Sequence, residues 1–225
     1  TPVTFMSDTP KVVRVLPNGQ IVVGGNFSGL NTATRPGIAR LNANGSVDSS
    51  YLPSLSSQNF SPSVTEIIVQ SSGKVLVAGN FDQVGGINRK SFALLNSDGT
   101  LDVAFNPTFT GIIHVLEQLQ NGNILVGGTF TSINSTPRNN LAILLPTGDL
   151  DVSFNTGTTM TPAISDADER PDGRITIGYN RTLKVLNANG STYSDLPANR
   201  GFNSNIYDVE TQIDGQTLVG GTFTQ

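Results

Sequence analysis

Nine residues, GQIVVGGNF from Gly19 to Phe27, limit this chain more than any other feature, because versions of them recur. They return as GKVLVAGNF from Gly73, GNILVGGTF from Gly122 and GQTLVGGTF from Gly215, with a weaker copy, GRITIGYN, from Gly173. The spacings between the leading glycines are 54, 49, 51 and 42 residues. A period of this length marks a chain built from stacked copies of one supersecondary unit. Each unit leaves a face uncovered that only its neighbour can bury.

The markers inside the repeat hold a tighter register. Phe27, Phe81 and Phe130 are each followed at fixed distances by Arg35, Arg89 and Arg138, then by Ala39, Ala93 and Ala142. Gly45, Gly99 and Gly148 come next, then Asp48, Asp102 and Asp151, and last Tyr51, Phe105 and Phe154. Four short β-rich runs fill each repeat, such as VVRVL, QIVVGG, GIARLN and SVDSSY in the first, here called A, B, C and D. Turn residues bound them and no helical periodicity of useful length appears. Asn18-Gly19, Asn121-Gly122 and Asp214-Gly215 between A and B, and Asn44-Gly45 and Asp98-Gly99 between C and D, are read as two-residue type I′ hairpin turns.

Four antiparallel strands per unit predict an all-β chain, a β-propeller of four-stranded blades, about five in number and incomplete. The expected modules are 11–62, 65–110, 112–165 and 166–205, with a partial one at 206–225 and residues 1–8 as the outer strand of a closing blade. That last assignment aligns Val3, Phe5 and Val15 with Val103, Phe105 and Val115. It opens the chain inside a strand D and closes it just past a strand B. The 225 residues are therefore expected to be part of a longer chain, or to take the missing strand from another chain. Strand B is apolar on successive residues, Ile21 to Val23, as a strand covered on both faces must be. The glycines after it mark a bulge or a close approach by the next blade.

The loops sort by rim. A–B and C–D turns are tight, whereas the B–C connections are long (FSGLNTATRPG, FDQVGGINRKS, FTSINSTPRNN), and a rigid scaffold carries binding on its long loops. Arg35, Arg89, Arg138, Tyr179 and Arg181 are the candidate binding residues. The simpler reading of the repeated arginines is that each ties down its own loop.

The pattern G-x-[IV]-[LV]-V-G-G-x-F, then an Arg, then A-x-L-N-x-x-G-x-x-D-x-x-F, resembles the bacterial delta-60 repeat. The resemblance is strong in the first three repeats and weak in the fourth, where Tyr179 to Gly190 shortens the B–C loop. It implies a β-propeller and a setting in large bacterial surface proteins or phage tail and other virion proteins. It brings no catalytic residues.

Composition narrows the function. Charged residues are 13% of the chain and the net charge is −4, with no basic run, so the field that nucleic acid requires is missing. No apolar run reaches the roughly 20 residues of a helical membrane span. Cysteine is absent, so disulfides and thiolate chemistry are excluded within this sequence. Abundant Ser, Thr, Asn and Gly suit an extracellular surface. Asp166, Asp168, Glu169 and Asp172 break the repeat where a strand A is due; the first three are weighed as a cation site against a solvated inner strand. His114, the sole histidine, lacks a second metal ligand and is read as a core residue.

The sequence thus points to a non-catalytic structural or interaction module of an extracellular assembly, a phage virion tail or fibre or a bacterial surface protein. Its expected partners are other protein chains of the assembly and cell-surface glycan, without nucleic acid, membrane insertion or cofactor. The alternative is a propeller enzyme or lectin of the glycan hydrolase or lyase type, working in the central channel through His114 and the acidic cluster.

Overall fold

The structure is a computed structural model that describes residues 4–7, 9–157, 163–193 and 202–224. Val3, and residues 194–201 of the expected fourth module, lie outside the described residues. The chain divides into two compact units, Thr1–Thr108 and Phe109–Gln225.

In the first unit the strands are β1 (Phe5–Met6), β2 (Pro10–Val15), β3 (Ile21–Gly25), β4 (Gly29–Leu30), β5 (Ala33–Thr34) and β6 (Ile38–Leu41). A second set follows as β7 (Leu55–Ser56), β8 (Ser63–Val69), β9 (Val75–Asn80), β10 (Gln83–Val84), β11 (Ile87–Asn88) and β12 (Phe92–Leu95). The second unit holds β13 (Ile113–Gln118), β14 (Ile124–Gly128), β15 (Ser132–Ile133), β16 (Thr136–Pro137) and β17 (Leu141–Leu144). It continues with β18 (Asp166–Glu169), β19 (Ile175–Tyr179), β20 (Thr182–Leu186), β21 (Ile206–Thr211) and β22 (Thr217–Gly221). All pairing between these strands is antiparallel, and no helix occurs among the described residues.

The main sheets are β2-β3-β6, β8-β9-β12, β13-β14-β17 and β18-β19-β20, with β21-β22 as a two-stranded fifth. The fourth strand of each module shrinks to a single bridge: Leu41 to Val47, Leu95 to Leu101, Leu144 to Leu150 and Leu186 to Thr192. The repeated aspartate explains this. Asp48, Asp102 and Asp151 accept with Oδ1 the N–H of the residue two further on, Ser50, Ala104 and Ser153, which curls the chain off the sheet. Their Oδ2 atoms are held from the start of strand B by Gln20 at 3.1 Å, Lys74 at 2.7 Å and Asn123 at 3.3 Å. Tyr51, Phe105 and Phe154 then turn inward and are fully buried.

Turn chemistry also differs from expectation. Gly19 has φ of 81° and its N–H bonds to the Leu16 carbonyl, while Leu16 N–H bonds to Gln20, and Asn18 is not left-handed. This is a three-residue loop, a type I turn followed by a glycine bulge, repeated at Gly73, Gly122, Gly173 and Gly215 and in the C–D turns. The asparagine's task is to accept the N–H two residues on, as Asn18 does from Gln20 at 3.0 Å. Paired left-handed residues occur instead at Gly85-Gly86 and Asn134-Ser135.

Those residues are hairpin tips. The long B–C loops are short β-hairpins, β4-β5, β10-β11 and β15-β16. A residue from the preceding connection joins each: Phe5 pairs with Leu30, Leu55 with Val84, and Phe109 with Ile133. Phe5 is therefore the counterpart of Phe109 and not of Phe105. Ring contacts agree, Phe5 on Phe27 at 5.2 Å and Phe109 on Phe130 at 5.3 Å. Within the segment read as the outer strand of a closing blade, Phe5 and Met6 pair with Leu30 and Gly29 of the first hairpin.

The two glycines ending strand B do two different things. The first admits the next module. A Cβ on Gly24 would meet Val64 Cγ1 at 2.7 Å, one on Gly127 would meet Ile164 Cβ at 3.3 Å, and one on Gly178 would meet Ile206 Cγ2 at 2.7 Å. The second glycine admits a bulge. A Cβ would strike a backbone carbonyl at 2.5 Å for Gly25, 2.1 Å for Gly79, 2.0 Å for Gly128 and 2.1 Å for Gly221. In these four modules the A–B register shifts, between Pro10 and Val12, Val64 and Glu66, Ile113 and Val115, and Ile206 and Asp208. The fourth module carries Tyr179 in place of that glycine, and its register runs without a shift.

Packing follows within each unit. In the first, Val12, Val22 and Ile38 of one sheet bury against Val64, Ile67 and Val77 of the next. In the second, Val115, Leu125 and Leu141 meet Ile164, Ala167 and Ile177. Buried Arg40 adds a polar tie: it bonds Asp48 at 2.8 Å, lies 4.4 Å over the Tyr51 ring, and donates to the Ser97 carbonyl of the following module.

Gly128→Ala forces a methyl onto a backbone carbonyl and is expected to cost about 2 kcal/mol or more in urea unfolding, in line with overpacking. Gly220→Ala, whose nearest neighbour would lie at 3.4 Å, is expected to stay within about 0.5 kcal/mol of the parent. Equal effects of the two changes would refute the separate roles.

Candidate functional site

The first strand of every module pairs on one side only, so alternate backbone N–H groups along its other edge need partners from outside the sheet. In the second unit carboxylates supply them. Asp166 Oδ2 accepts the Val209 N–H at 2.8 Å, and Asp168 Oδ2 accepts the Thr211 N–H. Glu117 Oε1 accepts the Glu169 N–H at 3.1 Å, and Glu169 Oε2 accepts the Gln120 N–H at 2.6 Å. Strands β13, β18 and β21 are thereby laced side by side through acidic side chains. Arg170 ties the same module to the next, bonding Thr217 Oγ1 at 3.2 Å and the Gly215 carbonyl at 2.5 Å.

Crowding among these acids moves their proton affinities. Burial pushes Glu117 up to about 8, against the pull of the Glu169 N–H and with Asp168 and Glu169 adding repulsion. Its Oε2 is buried and makes no hydrogen bond. Burial likewise pushes Asp166 up to about 7, outweighing the N–H groups of Val209 and Ala167, with Asp208 raising it further. Asp48 moves the other way. Burial raises it, but the Ser50 hydroxyl and N–H and the Arg40 guanidinium outweigh that and bring it down to about 2.

The structure places the other candidates apart from this cluster. Arg35, Arg89 and Arg138 each donate Nη1 to the carbonyl just before them, Thr34 at 2.8 Å, Asn88 at 2.9 Å and Pro137 at 2.8 Å. Arg89 is buried and also bonds the Val103 carbonyl at 3.0 Å. Arg138 is half-exposed and lines a hollow with Pro137, Asn139, Asn155 and Gly157. Tyr179 packs half-buried against the core of the second unit, and Arg181 is exposed. Asp166, Asp168 and Glu169 are engaged by backbone N–H groups, and no cluster of three metal-ligating side chains is found among the described residues.

His114 is not a core residue. It is the extra residue of the β13 bulge and is exposed, as is its counterpart Tyr207 in β21. Glu117 was missed in the sequence because it lies outside the acidic run, on a neighbouring strand. The available signal was its position two residues beyond Val115, facing the same way.

Repeated antiparallel modules stacked through their sheet faces define a β-propeller domain. Three stretches, residues 16–51, 70–105 and 119–154, match the family model described as "Domain of unknown function (DUF5122) beta-propeller". No curated protein matches the sequence. Among solved structures, the chain is similar to virginiamycin B lyase from Staphylococcus aureus, with TM-score 0.64, 12% identity, and coverage of 97% of this chain and 66% of that one. It is similar to a gluconolactonase from Xanthomonas campestris, with TM-score 0.59, 12% identity, and coverage of 94% and 69%. It is similar to the WD40 β-propeller domain of Doa1, with TM-score 0.54, 19% identity, and coverage of 91% and 58%. The chain thus spans about two thirds or less of the lyase and Doa1 chains.

The expectation that this chain is not an enzyme is corrected by these likenesses: a lyase and a gluconolactonase share its fold. The regular repeat, the absence of a catalytic constellation in the sequence and the surface-like composition were the grounds for that expectation, and a fold by itself does not fix function.

The raised acids set a pH dependence. Glu117 and Asp166 start from ordinary values of 4.5 and 3.8, so between there and about 8 and 7 the folded chain holds protons that the unfolded chain has released. Stability therefore falls as pH rises from about 4 to about 8. The thermal midpoint is expected to be lower at pH about 9 than at pH about 5, and Glu117→Gln should flatten that slope. A midpoint that rises over this range would contradict the assignment.

Proposed function

We propose that this β-propeller is an interaction module of an extracellular assembly, a phage virion tail or fibre or a bacterial surface protein. Its partner, a protein or a glycan, is taken on the rim of B–C hairpins. The delta-60 repeat resemblance supports that setting. The observation that carries the reading is the hairpin rim itself. Each hairpin base is fixed by ladder bonds, an arginine–carbonyl bond and a buried apolar residue, Leu30, Val84 or Ile133, while the tips stay exposed and differ in sequence. A rigid base under a variable tip is what a binding surface needs, since little ordering entropy is lost on contact. Arg138 and its hollow offer the partner a charged donor beside two asparagines.

A second reading has one specific observation in its favour. Glu117 is a half-buried carboxyl, with Oε2 shielded from solvent, that keeps its proton near neutral pH, the state a general acid needs. Under that reading Glu117 donates a proton to a substrate, as the lyase-like and lactonase-like fold permits.

Binding of the labelled protein to arrays of bacterial envelope glycans and envelope proteins tests the first reading. Ile87→Asp with Asn88→Ala, or Arg138→Ala, is expected to weaken binding about tenfold, or about 1.4 kcal/mol. Unchanged binding by these variants would remove the rim from the account. Turnover of an array glycan that disappears in Glu117→Gln would favour the second reading.

A further inference from the structure

The repeated arginines share one bond but not one environment. Arg35, Arg89 and Arg138 each hold the preceding carbonyl through Nη1, which fixes the guanidinium against its own hairpin. In the second module the rest of the fork is also spent. Arg89 Nη2 donates to the Val103 carbonyl at 3.0 Å, and the residue is buried. In the third module the equivalent bond, to the Val152 carbonyl, is not made. Arg138 is half-exposed, and among the described residues its Nη2 makes no hydrogen bond and no carboxylate pairs with it. Beside it lies the hollow, with a volume of about 330 Å³.

The opposite wall is set by the module that follows. Asn155 gives its backbone N–H to the Asn189 carbonyl at 2.9 Å, and a Cβ on Gly190 would meet the Asn155 backbone at 2.8 Å. Asn155 is thereby pinned. Its Oδ1 accepts the Gly157 N–H at 3.0 Å, which leaves Nδ2 of the same amide as a donor without a partner. Pro137 adds a ring face with no polar atom in its side chain. The hollow thus presents two donors, Arg138 Nη2 and Asn155 Nδ2, and none of the described residues lining it is acidic. A guanidinium already held in place loses little freedom when an anion meets it.

We propose that the hollow beside Arg138 is a subsite for the carboxylate of an acidic sugar, such as a uronic acid within a glycan chain. A pyranose that carries a carboxylate meets every feature of the hollow. Its carboxylate lies on Arg138 Nη2, a hydroxyl or ring oxygen accepts from Asn155 Nδ2, and a C–H face rests on the Pro137 ring. A peptide carboxylate would use the first of these alone. The inference rests on the reading of the hairpin rim as the binding surface and names the charge of the ligand there.

Calorimetric titration of the parent protein with trigalacturonic acid and with its fully methyl-esterified form tests this without any substitution. The acid is expected to bind about tenfold more tightly than the ester, because esterification removes the charge and keeps the rings. Arg138→Ala should bring the acid down to the level of the ester. Arg14→Ala, which removes an exposed arginine of β2, should change nothing, and circular dichroism checks that both variants fold. Equal binding of acid and ester, no binding of the acid, or an equal loss with Arg14→Ala would each overturn the proposal. A glutamate hexapeptide that binds more tightly than the trisaccharide, and is lost with Arg138→Ala, would also overturn it and give the hollow to a protein partner. If the acid fails while an array partner still depends on Ile87 and Asn88, this proposal falls and the rim reading stands. If the rim variants leave array binding unchanged as well, both fall.

Discussion

Everything in this structure depends on how closely one sheet can approach the next. Gly24, Gly127 and Gly178 leave the space that Val64, Ile164 and Ile206 fill, so side chains of the following module rest almost on the backbone of the preceding one. A glycine in a strand weakens that strand by roughly 0.5–1 kcal/mol. Apolar burial across the whole sheet face outweighs that cost, since fully burying one Val or Ile side chain is worth about 1.5–3 kcal/mol.

A second constraint follows from the first. Sheets stacked face to face cannot continue past their first strands by ladder pairing, so those edges keep unsatisfied N–H groups. In the second unit acidic side chains reach across to satisfy them, and that draws carboxylates together in a half-buried strip. Their raised proton affinities are a consequence of this lacing. The same strip serves as a brace between modules and as the group of acids from which a catalytic reading would start.

Much of the architecture was legible in the sequence, because its repeat carries it. The turn glycines, the paired glycines of strand B and the buried Tyr51, Phe105 and Phe154 all recur at fixed spacing. What the repeat could not show was the consequence of side-chain bonds. Asp48, Asp102 and Asp151 looked like members of a fourth strand, whereas their carboxylates end it. The long B–C segments looked like loops because their strands are two residues long, too short for alternation to register. Phe5 was aligned to Phe105 by apolar pattern alone, and only its contact with Phe27 places it with Phe109. His114 was expected in the core from its place in strand A without a partner ligand, but the β13 bulge shifts alternation by one residue and turns its side chain to solvent. The acidic strip was half visible: Asp166, Asp168 and Glu169 stood out as a run, but Glu117 and Asp208 come from neighbouring strands.

Amide hydrogen exchange tests the lacing of first strands most directly. Val209 and Thr211 lie on a strand edge with no ladder partner, yet carboxylates cover their N–H groups. Val13 and Val15 hold the same positions in β2, and among the described residues of the first unit no carboxylate accepts from their N–H groups. The account predicts that Val209 and Thr211 exchange much more slowly than Val13 and Val15, and that Asp166→Ala and Asp168→Ala remove that difference. Equal, fast exchange at all four amides in the parent protein would contradict it.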